Sequence, residues 1–345
     1  LSPLARFFPH TFVRTLFRAV PPMVGLDIGR SEVRMAEFSG NSAQAVQLEY
    51  CAREALPDDA IGDEGISNLR QVMEAASRLW GKSGSQARQV AIAIPSASTI
   101  TQILALPAGS SQAQRTALAE RHIESLLPYP LVQALLDFRI IGPTPNAPGQ
   151  LDMLIAATRR DDVEDRIAVA ESLGLQAVVA DIESHAALAA LTRTQAAAHT
   201  SSAFALANLE THGALLSLCR HGRIAGERQL AIGHRQLQRD LQQYDGDQPE
   251  VLATYLAHAA GQIARAMQTL QQQTSLAPEN ILLTGPGASI PGMVEAVREH
   301  AAISTAVATP FAGMALAPTI DRARLAADAP ACVTACGLAL RRFDR

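Results

Sequence analysis

Cysteine is scarce in this sequence. Cys51, Cys219, Cys332 and Cys336 are the four in 345 residues, and only the last two are close, at an i, i+4 spacing that is neither CxxC nor a zinc knuckle. This excludes a disulfide framework and a structural zinc site, and leaves the thiols as small buried apolar residues in a reducing compartment. No apolar run reaches the roughly 18 residues of a membrane span. No signal-peptide pattern is visible either, so the expectation is a cytoplasmic protein. An excess of one charge is also missing: 33 acidic against 29 basic side chains leave a formal net charge of −4. Nothing in that balance points to nucleic acid.

What is present is apolar mass, 48% hydrophobic residues, enough for a large core divided between two domains. Residues 1–22 stand apart as a basic amphipathic tail. In helical register Arg6, His10, Arg14 and Arg18 form one stripe and Leu4, Phe8, Phe12 and Leu16 another, a pattern suited to an anionic membrane or a partner, although Pro9 interrupts it. From Met23 the pattern reads strand, tight turn, strand, with "AQAVQLEYCAREAL" as a third strand. Ile66, Leu69, Val72, Met73, Ala76 and Leu79 then predict a helix with one buried face. The strands "QVAIAIP", "TITQILAL", "ALLDFRII" and "LDMLIAAT" surround a helix over about 112–126. A helix over 161–173, whose "TRRDDVEDR" cluster puts acids in its first turn, precedes the strand "LQAVVADI" and an alanine-rich helix over 183–195. After the polar connector "QAAAHTSS" the strand–turn–strand–turn–strand pattern returns in "SAFALANLETHGALLSLCRHGRIAGERQL". Two helices, the strand "NILLTG", a glycine-rich turn and a helix over 293–300 follow. Two such meanders facing each other across a cleft constitute an internal repeat of pattern, without residue-level identity between the copies.

Two stretches carry candidate chemistry. In "VGLDIGRSEVR" a turn built from Asp27, Gly29, Arg30 and Ser31 can aim backbone N–H groups at a phosphate. Asp27 can hold Mg²⁺ through water, and Arg34 can bring its cation back over the same turn. The alternative is a plain hairpin with an exposed aspartate. In "NILLTGPGASIPGM", Gly285 and Gly287 make a turn against which a flat ring can lie, before a helix opened by Pro291 and Gly292; the alternative is an ordinary strand-to-helix loop. Glu183 is placed to touch ribose or Mg²⁺ or, more simply, to cap a helix. His185 lies with it near the interdomain connection, and His212, His221 and His258, which show no metal-ligand spacing, read as solvent-facing or packed.

The runs "VGLDIGRSEVRMAEF", "ADIESHAALAAL", "ILLTGPGASIPGM" and "PACVTACGLALRRF" come in the order and spacing of the PilM family of type IV pilus assembly, which the chain resembles over about residues 22–343. The "ACGLALR" ending separates it from FtsA and from the type II secretion L-like proteins. The resemblance implies an α/β fold of the actin/Hsp70/FtsA type: duplicated ribonuclease H-like domains around a nucleotide cleft, with an inserted α/β subdomain. The implied divisions are 23–96 with 159–195 as the first domain, 97–158 as the insertion, and 196–330 as the second domain. Residues 331–345 would form a helix returning to the first. It also implies ATP and Mg²⁺ as cofactors, and a groove within about 91–180 that holds the cytoplasmic N-terminal tail of the inner-membrane protein PilN. Further pilus assembly proteins at the inner membrane are implied partners, with the chain peripheral to that membrane. By position, Asp27, Gly29, Arg30, Ser31 and Arg34 match the first phosphate hairpin, where the family more often has serine at 30 and lysine at 34. Gly285 and Gly287 match the adenosine loop.

The departure is in the second phosphate hairpin, where relatives show Asp-x-Gly and this chain reads "ANLETHG". Asn208 brings no charge, and Glu210 puts one where glycine gives room. An added carboxylate about 5 Å from a triphosphate repels it by roughly 3 kcal/mol at an effective dielectric near 20, over a hundredfold in affinity. Otherwise Glu210 points away or binds Mg²⁺. With no base poised to activate water, the expectation is a scaffold that binds ATP weakly, a weak ATPase at most, with no catalytic residue to name. The alternatives are a sugar or pantothenate-type kinase on the same fold, and a scaffold that has discarded nucleotide or works in the manner of the type II secretion L protein.

Overall fold

The strand Met23–Ile28 (β1), apolar except for Asp27, is buried along its whole length, as expected of a strand with helices on both faces of its sheet. The computed structural model describes residues 21–42, 45–194, 202–243 and 248–344. The basic stripe expected before residue 21 and most of the polar connector expected at 195–202 lie outside them. β1 continues into β2 (Glu32–Ser42) and β3 (Ala45–Ala55), a two-residue ladder of β4 (Ile61–Gly62) and β5 (Gly65–Ile66), α1 (Leu69–Ser83) and β6 (Gln89–Ile94). An excursion follows: β7 (Thr99–Pro107), α2 (Gln112–Glu124), β8 (Ala134–Pro143) and β9 (Gln150–Arg159). The chain returns through α3 (Arg160–Ser172), β10 (Gln176–Ile182) and α4 (Glu183–Thr194). The second half holds β11 (Phe204–Leu209), β12 (Ala214–Arg220), β13 (Arg223–Leu230), α5 (His234–Gln243), α6 (Gln248–Thr274), β14 (Asn280–Thr284), α7 (Met293–Ala301) and β15 (Ser304–Val307). It closes with β16 (Ala315–Leu316), α8 (Arg322–Asp328) and α9 (Val333–Leu340).

The two large sheets have one design. Their strand orders are β10-β6-β1-β2-β3-β16 and β13-β12-β11-β14-β15. In each, an antiparallel meander is extended from its first strand by two parallel strands. This is the duplicated topology of the actin-like fold. The excursion forms its own three-stranded antiparallel sheet, β7-β9-β8. Leu106, Ala119, Ile123, Met153 and Ile155 make its core, under an α2 started by a capping box between Ser111 and Gln114.

The helical phase that joins Ile66 to Leu69 is misleading. Ile66 belongs to β5, and α1 starts after Asn68, whose side chain accepts the Gln71 amide. The short β15, β16 and α8 carry no periodicity long enough to be read beforehand. α9 is buried at every position, and apart from Thr334 its residues are apolar or small, as a helix enclosed on every side requires. It lies backbone to backbone on its neighbours: a Cβ on Gly337 would stand 1.8 Å from the Ala186 carbonyl oxygen in α4, and one on Gly25 would stand 2.0 Å from that of Ala335. Among the described residues no single helix is long and apolar enough to cross a membrane.

Candidate functional site

The strand registers show how the duplication aligns the two candidate hairpins. In β1–β2, Asp27 pairs with Arg34 and Ile28 with Val33. In β11–β12, Asn208 pairs with Leu215 and Leu209 with Ala214. Counting along equal loops, Asn208 takes the place of Asp27, Glu210 that of Gly29, and Leu215 that of Arg34. The tips of the two hairpins touch. Ser31 and Thr211 share a hydroxyl hydrogen bond of 2.7 Å, and Arg34 reaches across with a two-pronged contact, Nη1 donating to Glu210 Oε1 at 2.9 Å and Nη2 to Oε2 at 2.6 Å.

Arg34 is 2% exposed and saturated with acids. Besides Glu210, its Nη1 donates to Asp27 Oδ2 at 3.0 Å and its Nε to Glu32 Oε1 at 2.7 Å. Arg53 extends the network from Glu32 to Asp328. The titrations follow. Burial pushes the Asp27 carboxyl up more than Arg34 pulls it down. For Glu32 burial acts the same way but Arg34 and Arg53 outweigh it, so that carboxyl lies below its usual range. Burial works against the Arg34 cation, yet Glu210, Asp27 and Glu32 together hold it well above the ordinary guanidinium value. The expected swing of Arg34 back over its turn is thus real, but its partners are carboxylates of this chain. Glu210 does not point away; it faces Arg34.

Asp27, Gly29, Arg30, Ser31, Arg34 and Asn208 all line one cavity of about 750 Å³. Asp27 is 1% exposed rather than a surface aspartate. Arg30 turns its Nη1 to Asp63 at 2.7 Å, and the Asn208 Oδ1 accepts the Thr284 hydroxyl at 3.2 Å. The cavity runs from the hairpins to the root of the insertion, where Ser96, Ile100, Tyr129 and Arg159 line it. Gly285 and Gly287 do not reach it. They pack on Leu209, with the Gly285 backbone at φ 78° and its amide donating to Pro330 O at 2.7 Å. Their neighbours Pro286, Ser289, Ile290 and Pro291 line a second cavity of about 610 Å³, together with Arg53, His234 and Arg235. Ser31 and Thr211 line both cavities, so the hairpin contact is the wall between the Asp27 side and the glycine-turn side.

Glu183 also lines the Asp27 cavity. It does not cap its own helix; its Oε2 accepts the Ser96 amide at 3.1 Å. Burial first, then the nearby Asp27 charge, raise its pKa from 4.5 to about 8. The side chain therefore holds a proton at neutral pH. Unfolded, it ionises near 4.5, so its contribution to stability falls as pH rises between that value and about 8. Glu183→Gln, uncharged throughout, is expected to match the parent at pH 5 and to exceed it at pH 9. The gain is about 2 kcal/mol, less than the full shift at about 1.4 kcal/mol per unit because the cavity admits water. Urea midpoints at the two pH values check this; equal differences at both would refute it.

The hairpins fit nucleotide and magnesium only in part. In favour, Asp27 Oδ1 is buried without a hydrogen-bond partner, and the Arg30 and Ser31 amides make no backbone hydrogen bond among the described residues. Against, the Arg34 donors are taken, Glu210 lies across the gap, and Ser31 is closed on Thr211. No group of three or more His, Cys, Asp or Glu is arranged to hold a metal among the described residues. A cation at Asp27 through water fits its free oxygen. A triphosphate passing between the hairpins does not fit this arrangement. Sequence reasoning missed Glu32, Arg53, Asp328 and Thr211; only Glu32 left a signal, sharing a strand face with Arg34 at i, i+2.

Of the histidines, His185 is held below the usual imidazole range by burial, His212 Nε2 faces Arg235 Nη1 at 2.6 Å, His221 turns the β12–β13 loop with φ 51°, and His258 meets Gln262.

The family described as Type IV pilus assembly protein PilM matches residues 25–343. Among solved structures, the PilM-PilN type IV pilus biogenesis complex superposes with a TM-score of 0.81 at 20% identity, covering 94% of this chain and 99% of that one. The ethanolamine utilization protein EutJ from Carboxydothermus hydrogenoformans follows with a TM-score of 0.55 at 13% identity, covering 97% and 92%. At these identities the likenesses are of fold.

Proposed function

The chain belongs to the type IV pilus assembly protein PilM family, and from that premise we propose that it is a scaffold that docks the cytoplasmic N-terminal tail of a PilN-type inner-membrane protein. The observation that carries this reading is the near end-to-end likeness to the PilM-PilN complex. The insertion supports it. Among the described residues the exposed large hydrophobic side chains, Ile103, Leu126 and Val132, all belong to it. At its root, Tyr129 lies under the Arg159 guanidinium at 5.5 Å and keeps a buried hydroxyl without a partner. An extended tail laid along this end of the cavity would supply the missing hydrogen bond and cover apolar surface. Held in this way, the protein sits peripherally at the inner membrane, where further pilus assembly proteins reach it.

Nucleotide is secondary in this reading: Mg-ATP binds weakly, and only when the hairpins part. The test of docking is titration of a fluorescent synthetic PilN-type tail by anisotropy. Micromolar binding is expected, weakened at least tenfold by Tyr129→Ala. Absence of binding to the parent protein at several hundred micromolar peptide would overturn the proposal.

A further inference from the structure

Resting on that reading of the cleft, we infer that Glu210 is a built-in stand-in for a ligand phosphate, occupying the face of Arg34 that a bound anion would take and closing the two lobes without nucleotide. Three independent features of the geometry meet in it. The first is the contact itself: both Glu210 oxygens lie on both terminal nitrogens of Arg34, at 2.9 and 2.6 Å, the fork-to-carboxylate arrangement by which arginine grips carboxylates and phosphates alike. The second is the duplication. Glu210 stands where the other hairpin has Gly29, so one copy keeps space at this corner and the other fills it with an anion. The third is the distribution of cations. Arg34 is matched by Leu215 in the second copy, so only one of the two hairpins offers a guanidinium at this position. Glu210, Asp27 and Glu32 occupy it, and Ser31–Thr211 closes the gap beside it.

A tethered carboxylate competes as an internal ligand at high effective concentration, so nucleotide must displace it before it can meet Arg34. Unpaired, Glu210 would act on a phosphate by repulsion alone. Paired, it acts by occupancy, and removing it frees a cation as well as deleting an anion. Arg34 retains Asp27 and Glu32 when Glu210 is removed, so the variant keeps a compensated interior.

The test measures Mg-ATP binding by calorimetry and amide exchange without nucleotide on the full chain, for the parent, Glu210→Gln and Glu210→Gly. Both variants are expected to bind Mg-ATP at least tenfold more tightly. Their amides at 29–32 and 210–213 should exchange several-fold faster until Mg-ATP is added. Binding within threefold of the parent overturns the inference, and so does unchanged exchange. Should either variant lack a cooperative melt, Glu210→Asp, too short to keep both prongs, is expected to show a smaller gain in the same direction, and no gain overturns the inference. Tail-peptide titration on the same samples separates the two proposals. Tail binding with no ATP gain leaves docking and removes the stand-in. An ATP gain with no tail binding does the reverse.

Discussion

Arg34→Met is expected to destabilise the protein by about 3–5 kcal/mol at pH 7, the cost of leaving buried carboxylates without their cation. Arg34 is nearly inaccessible and holds Asp27, Glu32 and Glu210 at once. Methionine fills a similar volume but answers none of them. The effect has a pH signature. Arg34 and Arg53 lower the Glu32 carboxyl below its ordinary 4.5, so this pairing contributes stability above the unfolded value and loses it as pH falls through the folded one. Without Arg34 that contribution shrinks and the acids take up protons more readily. Parent and variant should therefore converge toward pH 4 and differ most near neutrality. Arg34→Lys should fall between them, since an ammonium is a point charge without the planar fork that serves three carboxylates. Urea midpoints from pH 4 to 8 check both statements. A variant within 1 kcal/mol of the parent at pH 7 would show that the cluster is hydrated and that its burial does not count.

The same residue marks the limit of what could be read from the chain. Asp27, Arg30, Ser31 and Arg34 were legible as a hairpin because the alternation of "VGLDIGRSEVR" is local, and the recurrence of the meander was legible for the same reason. The register that equates Asp27 with Asn208 was not, because pairing partners and not spacing define it. Glu210 was recognised as a foreign charge, but its counterion lies in the other lobe, in the Arg34 that resemblance assigned to phosphate. A sequence gives the sign of each charge without its distance from others. Gly285 and Gly287 were recognisable as a tight turn, yet the wall between their cavity and that of Asp27 consists of one hydroxyl pair, Ser31 with Thr211. Ile66 reads as helical because this strand residue falls by chance in phase with α1. The resemblance to the PilM family supplied what periodicity could not, the facing of the two hairpins, but the single cleft it implies is divided in the structure at Ser31 and Thr211.

Gly337→Ala is expected to cost about 3 kcal/mol or more, an overpacking penalty at the upper end because neither side can yield. The added methyl would lie 1.8 Å from the Ala186 oxygen and 2.5 Å from its carbonyl carbon, both backbone atoms of a helix. α9 would have to lift from α4, and it is also the helix on which Gly25 rests, two residues before Asp27 on the same strand. Lifting it loosens the floor beneath the hairpin. Amide exchange along β1 should therefore rise in Gly337→Ala, together with a lower urea midpoint. Gly81, inside α1 with nothing within 4 Å of an added Cβ, provides the contrast. Gly81→Ala should stabilise by about 0.5–1 kcal/mol, since alanine restricts the unfolded chain and favours helix. If both substitutions shift the midpoint alike, glycine at 337 matters only for helix propensity, and the close crossing of α9 over α4 does not hold the cleft in place.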